Sequence, residues 1–217
     1  MDINNMLKGK FIVIEGIEGS GKTTICKTLK NILYEHGIKN VICVRDPGST
    51  PLAEKIRSLL ITKDKNEYMV NETELLLFYA ARIQLIKNII QPALNKGVWV
   101  ISDRYFLSSL AYQCAGRKIK EEIVLLLQSL FLKNFNPNIT FYLDVTPEIG
   151  LNRIKNRNEI DRIEQNTKFF FNNVRNKYLN LIKTKPGIIK INANRKIDKV
   201  KHSCKQQMLS WLNTENL

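Results

Sequence analysis

The sequence predicts an α/β fold: three layers, with a five-stranded parallel sheet flanked by helices on both faces. Three observations carry this expectation. Five short apolar runs, at 10–15, 40–44, 98–102, 139–144 and 188–192, have the length and composition of buried strands. Stretches with helical spacing of apolar residues separate them, the alternation that builds a parallel sheet. The first run leads directly into Gly16-Ile17-Glu18-Gly19-Ser20-Gly21-Lys22-Thr23, which fits G-x-x-x-x-G-K-[ST] at every fixed position.

That loop needs a strand before it and a helix after it, and both are present. Its glycines let successive N–H groups point into one concavity that can hold a phosphate chain. The helix expected over 24–34, with Ile25, Leu29, Ile32 and Leu33 on one face, begins at Thr24 and adds unpaired donors and a partial positive charge. Lys22 supplies a full charge to the β and γ phosphates, and the Thr23 hydroxyl can ligate Mg²⁺. Residues 16–24 are therefore the expected ATP-binding segment.

In such a sheet, ligands sit at the carboxyl ends of the strands. The second run ends at Arg45-Asp46-Pro47-Gly48. A short helix over 52–61 and a polar connection over 62–68 follow. A longer helix starts near Asn71, an N-cap with Glu74 three residues on, and runs through Leu76, Leu77, Ala80, Ile83 and Leu85 towards Asn95. Pro92 kinks it or marks its last turn. Residues 75–81 are apolar on nearly every side, which predicts burial against the sheet and against a second subunit. Phe78 and Arg82 are spaced i, i+4 and face one direction. Alone they suit a core ring with a snorkelling arginine; beside a nucleotide site they suit a plate for a base.

The third run ends at Asp103-Arg104-Tyr105. Asp103 stands where phosphate-loop enzymes place an acid that helps hold Mg²⁺, and Arg104 can grip a phosphate with its planar fork. An ion pair capping the strand end fits the same two residues. Further helices are expected over 119–134, 146–157, 165–183 and 196–213. Arg153 and Arg157 share a face of the second of these, with Arg162 a little beyond. They form either a solvated basic face or a pair that closes on the charge developed in phosphoryl transfer. The last run, ending at Asn192-Ala193-Asn194, carries the least chemistry.

At 217 residues, 44% of them hydrophobic, with no repeat, linker or low-complexity tract, the chain reads as a single domain over 1–217. The net charge of +14 raises the question of nucleic acid, but the lysines are scattered and no aromatic-interleaved basic strand is present, so neither nucleic acid nor membrane is an expected partner. Four separated cysteines without a C-x-x-C pair suit reduced thiols in a cytoplasmic protein. Two histidines are too few for a multi-histidine metal site.

The segments FIVIEGIEGSGKTT, RDPGST, LLLFYAARIQL, ISDRYFLSSLAYQ, FYLDVTPEIGLNR and DRIE, in this order, resemble those of bacterial thymidylate kinases over nearly the whole chain. The resemblance implies transfer of the γ-phosphoryl group of ATP to dTMP, with Mg²⁺, in a homodimer, and a small lid near 150–163. Another phosphate-loop nucleotide kinase, or a nucleic-acid-linked ATPase, is the alternative. At matching positions it implies that Glu18 contacts the sugar 3′-OH and that Arg45 and Arg104 approach the acceptor phosphate. Phe78 would stack on thymine, Arg82 would bond its O4, Ser108 and Ser109 would lie near the base, and Tyr112 would fill the space of a ribose 2′-OH. Lys22, Arg104, Arg153 and Arg157 are the implied catalytic residues, and Thr23 and Asp103 the metal-binding ones. The phosphate loop lacks an arginine, so the chain is similar to the members whose catalytic arginine comes from the lid. Asp46 stands where glutamate is common in that family, and Ser49 where a second glycine is frequent.

Overall fold

A computed structural model of the chain describes residues 8–64, 66–133, 135–155 and 161–215. Five parallel strands, β1 (Phe11–Glu15), β2 (Val41–Arg45), β3 (Trp99–Asp103), β4 (Ile139–Asp144) and β5 (Ile188–Asn192), pair in the order β2-β3-β1-β4-β5. Every residue of the central strands β1 and β4 is buried. Their side chains alternate between two cores. Ile12 and Ile14 pack with Ile25, Leu29, Phe171 and Met208 on one face, whereas Phe11 and Val13 pack with Leu75, Leu85, Ile90 and Leu132 on the other. Glu15, Arg45 and Asp103 fall together at the carboxyl edge, because Arg45 pairs in register with Asp103 and Asp103 with Ile14.

The helices are α1 (Lys22–Glu35), α2 (Pro51–Ile61), α3 (Asn71–Leu85), α4 (Gln91–Asn95), α5 (Phe106–Ser109), α6 (Glu121–Leu127), α7 (Pro147–Lys155), α8 (Lys168–Thr184) and α9 (Ile197–Thr214). Thr50 caps α2, its hydroxyl accepting from Ala53 N at 3.0 Å with Pro51 in the first turn. Thr167 caps α8 in the same way, so that helix starts three residues later than periodicity alone suggests. The strands keep their expected positions to within one residue.

The long helix differs from expectation in three respects. Its N-cap is Val70, not Asn71, whose side chain instead donates to Arg117 O at 3.1 Å. Glu74 turns away from the helix start to meet arginines, so no capping box forms. The buried stripe is Glu74, Leu75, Tyr79, Ala81, Arg82 and Leu85, while Leu76 and Ala80 are exposed. Pro92, which has no N–H to return to the preceding turn, follows a π-helical segment, Ile86–Ile90, that widens the helix ahead of it.

One helical element was not expected at all. Residues Phe106–Ser109, with buried Ser108 and Ser109, continue into a π-helical segment, Leu110–Gly116, that carries buried Tyr112. A π-helical segment, Gln128–Leu132, likewise extends α6. The expected helix over 146–157 is seen as α7, and Arg157 lies outside the described residues.

Candidate active site

The phosphate loop crosses from β1 to α1 over the carboxyl edge. Gly21 caps α1 in a left-handed conformation with no side-chain cap bond, which among the described residues leaves the first-turn donors available to an anion. Lys22 folds back over the loop, donating from Nζ to Gly16 O and Ile17 O at 3.0 Å each. Burial, reinforced by the nearby Arg104 charge, lowers its ammonium to about 8.

Helix α7 supports the loop from behind with almost no clearance. A methyl group on Gly19, at φ +71°, would sit 2.1 Å from Gly150 O, and one on Gly150 would sit 2.5 Å from Glu18 O. Close backbone approach therefore needs a glycine on both sides. Arg153, one turn further along α7, donates to Gly19 O at 3.2 Å, Ala193 O at 2.9 Å and Arg195 O at 3.1 Å. It ties the phosphate loop to the loop between β5 and α9.

Beyond the loop the carboxyl edge holds a linked set of ionic groups. Thr23 Oγ1 donates to Asp103 Oδ2 at 3.0 Å. Arg104, held at φ +73°, donates through Nη2 to Glu18 Oε1 at 2.6 Å and through Nη1 to Gly16 O at 2.8 Å and Ser108 Oγ at 3.2 Å. Its guanidinium lies 4.9 Å from the ring centre of Tyr112, whose hydroxyl donates to the second oxygen of Glu18 at 2.6 Å. Underneath, the fully buried Glu15 carboxylate accepts from Tyr105 N, Ser108 N, Ser108 Oγ and Tyr178 Oη, fixing the start of α5. Burial raises its carboxyl, and the Arg104 charge with these donors works against the rise.

At the far end Arg82 is 1% exposed and donates to Asp46 Oδ2 at 2.5 Å, Ser109 Oγ at 2.8 Å and Tyr105 O at 3.2 Å. Each terminal nitrogen keeps a second N–H beyond these bonds. The Asp46 charge holds Arg82 protonated against the effect of burial. Arg45 forms a two-oxygen pair with Glu54 at 2.9 and 3.1 Å. Ser49 takes φ +67°, the conformation a glycine would adopt freely, and is held there by Ser49 N to Glu54 Oε1 and Arg45 N to Ser49 Oγ. That explains how the turn keeps its shape without the second glycine.

A cavity of about 330 Å³ joins these groups, lined by Lys22 and Thr23 of the phosphate loop and by Phe78 and Arg82 of α3. It is also lined by Glu18, Gly19, Gly21, Thr24, Arg45, Asp103, Arg104, Ser108, Ser109 and Tyr112, so these sequence-selected residues converge, whereas Arg153 is not part of the lining and Arg157 lies outside the described residues. Gly16, Ile17 and Ser20 complete the loop behind its lining. Arg162 does not join Arg153; it donates to Glu74 and to Leu60 O. Several lining residues have no role assigned from the sequence, among them the polar Arg57 and Gln113. Gln113 stands four residues after Ser109, a spacing that would have put it on the same face had the helix been foreseen.

Among the described residues no three His, Cys, Asp or Glu side chains gather into a metal cage, and no helix is long and apolar enough to cross a membrane. A hydroxyl and a carboxylate 3.0 Å apart beside a phosphate loop suit Mg²⁺, which keeps waters and binds through one or two protein groups plus phosphate.

Comparison with known proteins accords with this geometry. The sequence profile described as thymidylate kinase matches residues 14–204. The chain is 58% identical over 207 residues to the thymidylate kinase of Buchnera aphidicola subsp. Schizaphis graminum, covering 95% of this chain and 98% of that protein. It is 54% identical over 210 residues to the thymidylate kinase of Buchnera aphidicola subsp. Acyrthosiphon pisum, covering 97% and 99%. The thymidylate kinase of Vibrio parahaemolyticus is 44% identical over 210 residues, covering 97% and 100%. With a phosphate loop, a ring and a guanidinium lining one cavity, and relatives aligned over nearly the whole chain, the chain belongs to the thymidylate kinase family.

Proposed function

We propose that the protein transfers the γ-phosphoryl group of ATP to dTMP, giving ADP and dTDP. The observation that carries this reading is that one cavity is lined both by the phosphate-loop residues Lys22 and Thr23 and by Phe78 and Arg82, so a phosphate site and a candidate base site share one space. The loop N–H groups and Lys22 bind the donor phosphates, exchanging the Gly16 and Ile17 carbonyls for phosphate oxygens. Thr23 and Asp103 would hold Mg²⁺, which when bound supplies charge neutralisation at the phosphates. Arg104 and Arg45 orient the acceptor phosphate. Phe78 stacks on the base, Arg82 donates to it, Ser108 and Ser109 line its edge, and Tyr112 fills the 2′ side of the sugar.

No general base is required. A phosphate monoester has a second pKa of about 6, so its attacking oxygen is already ionised near neutrality, and positioning with charge neutralisation does the rest. Of the two lid arginines, Arg153 spends its donors on loop carbonyls. Those bonds support a role for Arg153 in holding the phosphate loop; Arg153 and Arg157 both stay candidates for the charge on the transferred group within a lid near 150–163, and Arg157 lies outside the described residues.

A homodimer completes the reading. Exposed Leu52 and Leu59 on α2, Leu76 on α3 and Leu126 on α6 form apolar surface on neighbouring helices, with α3 joined to α6 through Tyr79 Oη and Val124 O at 2.8 Å. Sedimentation of a monomer at micromolar concentration would remove that part. The reaction is tested by coupled detection of ADP with dTMP, dUMP, dCMP, AMP and UMP in turn. Fastest turnover is expected with dTMP; turnover with AMP or UMP and none with dTMP would overturn the substrate assignment.

A further inference from the structure

We infer that Glu74 is a positioning residue that turns the Gln113 carboxamide so that its carbonyl oxygen faces the acceptor base, and links that orientation to the stretch 161–166. The inference rests on the reading of the Phe78–Arg82 end of the cavity as the base site. Glu74 is 2% exposed and sits among three donors: Gln113 Nε2 at 3.0 Å, Arg117 Nε at 3.1 Å and Arg162 Nη2 at 2.7 Å. Burial raises its carboxyl, but Arg117, Gln113 and Arg162 together hold it below the usual carboxylate range. An ionised carboxylate only accepts, so Gln113 must present its NH₂ group to it. Among the described residues nothing donates to the other end of that amide, and Gln113 lines the cavity.

The consequence is a fixed polarity. Ser109 bonds Arg82, and Gln113 lies on the same face of the helical segment four residues on, so the base meets N–H donors from Arg82 and a carbonyl acceptor from Gln113. Thymine offers O4 as acceptor and N3–H as donor, which matches. Cytosine offers an amino donor and an N3 acceptor, which places like against like at both positions. Arg162 also donates through Nε to Leu60 O at 2.8 Å and through its backbone N to Ile61 O at 2.9 Å, so the same carboxylate fastens the stretch 161–166 to α2 and α3.

The test is Glu74→Gln. With one oxygen left, and two guanidinium groups competing for it, the new amide turns its NH₂ towards Gln113, and Gln113 reverses to present NH₂ to the base. The ratio of kcat/KM for dTMP to that for dCMP should fall roughly tenfold or more, with KM for ATP changing less than about twofold. In a Gln113→Ala background, Glu74→Gln should leave the ratio unmoved. An unchanged ratio in the single variant, even with a lower melting temperature, would reduce Glu74 to a structural role and overturn the inference. Wild-type protein assayed alongside separates the two readings: inactivity on dTMP would sink the base-site assignment itself, whereas an active wild type with an indifferent Glu74→Gln would sink only this one.

Discussion

Glu18 Oε1 accepts from Arg104 Nη2 at 2.6 Å, and the other oxygen of the same carboxylate accepts from Tyr112 Oη at 2.6 Å. Arg104 thereby has four of its five N–H groups engaged, two of them on Gly16 O and Ser108 Oγ. The carboxylate in the phosphate loop aligns the arginine before any acceptor phosphate arrives. Glu18→Ala leaves a largely buried guanidinium without its partner, a loss of about 2 kcal/mol when discounted for its residual exposure. The expected result is a 10- to 100-fold fall in kcat/KM for dTMP, a roughly threefold or smaller change for ATP, and a lower melting temperature in calorimetry. Equal losses for both substrates would contradict the alignment role.

Lys22 gives a prediction with a definite sign. Its folded-state value is lowered from 10.5 to about 8, so between those values the unfolded chain binds the extra proton and stability rises with pH. Below pH 8 the buried charge costs up to about 3 kcal/mol. Lys22→Met should melt higher than wild type at pH 7, with the difference shrinking towards pH 10, while turnover falls by several orders of magnitude. A variant that unfolds at pH 7 would assign Lys22 a structural role.

The same group governs the wild-type pH profile. The donor phosphates need the charged ammonium, and kcat/KM for ATP reports the free enzyme. That parameter should hold below about pH 8 and decline above it, following the lowered Lys22 value. A profile flat to pH 9.5 would show that the ammonium is not set by its burial.

Gly150→Ala tests the contact between α7 and the phosphate loop. The added methyl meets Glu18 O at 2.5 Å, and backbone cannot yield as a flexible side chain does. A stability loss of roughly 1–3 kcal/mol is expected, with activity falling by more than the unfolded fraction explains, because the displaced backbone is the phosphate site itself. Denaturant titration beside kinetics at a temperature where the variant is folded would decide it.

Arg153→Ala removes donors to Gly19, Ala193 and Arg195 carbonyls. It should raise KM for ATP about tenfold or more and leave KM for dTMP nearly unchanged, since none of those carbonyls belongs to the Arg82 end. Titration of each nucleotide separately measures the split; a rise confined to dTMP would refute the assignment.

Much of this molecule is written locally. Phe11 to Thr23 states a buried strand, a glycine turn and a helix start in consecutive residues, because the backbone conformations that cradle phosphate are available mainly to glycine. The five strands and the residues closing them were legible for a similar reason: a parallel sheet covered on both faces demands uninterrupted apolar runs. What escaped were features whose partners are distant. The helix from Phe106 to Gly116 has no strong period because it winds as α and then π around Glu15, a residue 91 positions before its start. Asn71 and Glu74 satisfy a local rule for a helix cap, yet Glu74 is drawn off by Arg117 and Arg162, since a buried carboxylate gains more from two guanidinium groups than from one backbone N–H.

The sequence by itself therefore determined the sheet, the phosphate loop, and the list of charged and aromatic residues at the carboxyl edge, because each depends on neighbours within one turn or one strand. Only the tertiary structure decided how those residues are employed: Glu18 against Arg104 and Tyr112, Asp46 against Arg82, Glu74 between two arginines and Gln113. Ionic groups excluded from water must find opposite charges or donors wherever the fold brings them, and that pairing is a property of positions in space that chain order does not encode.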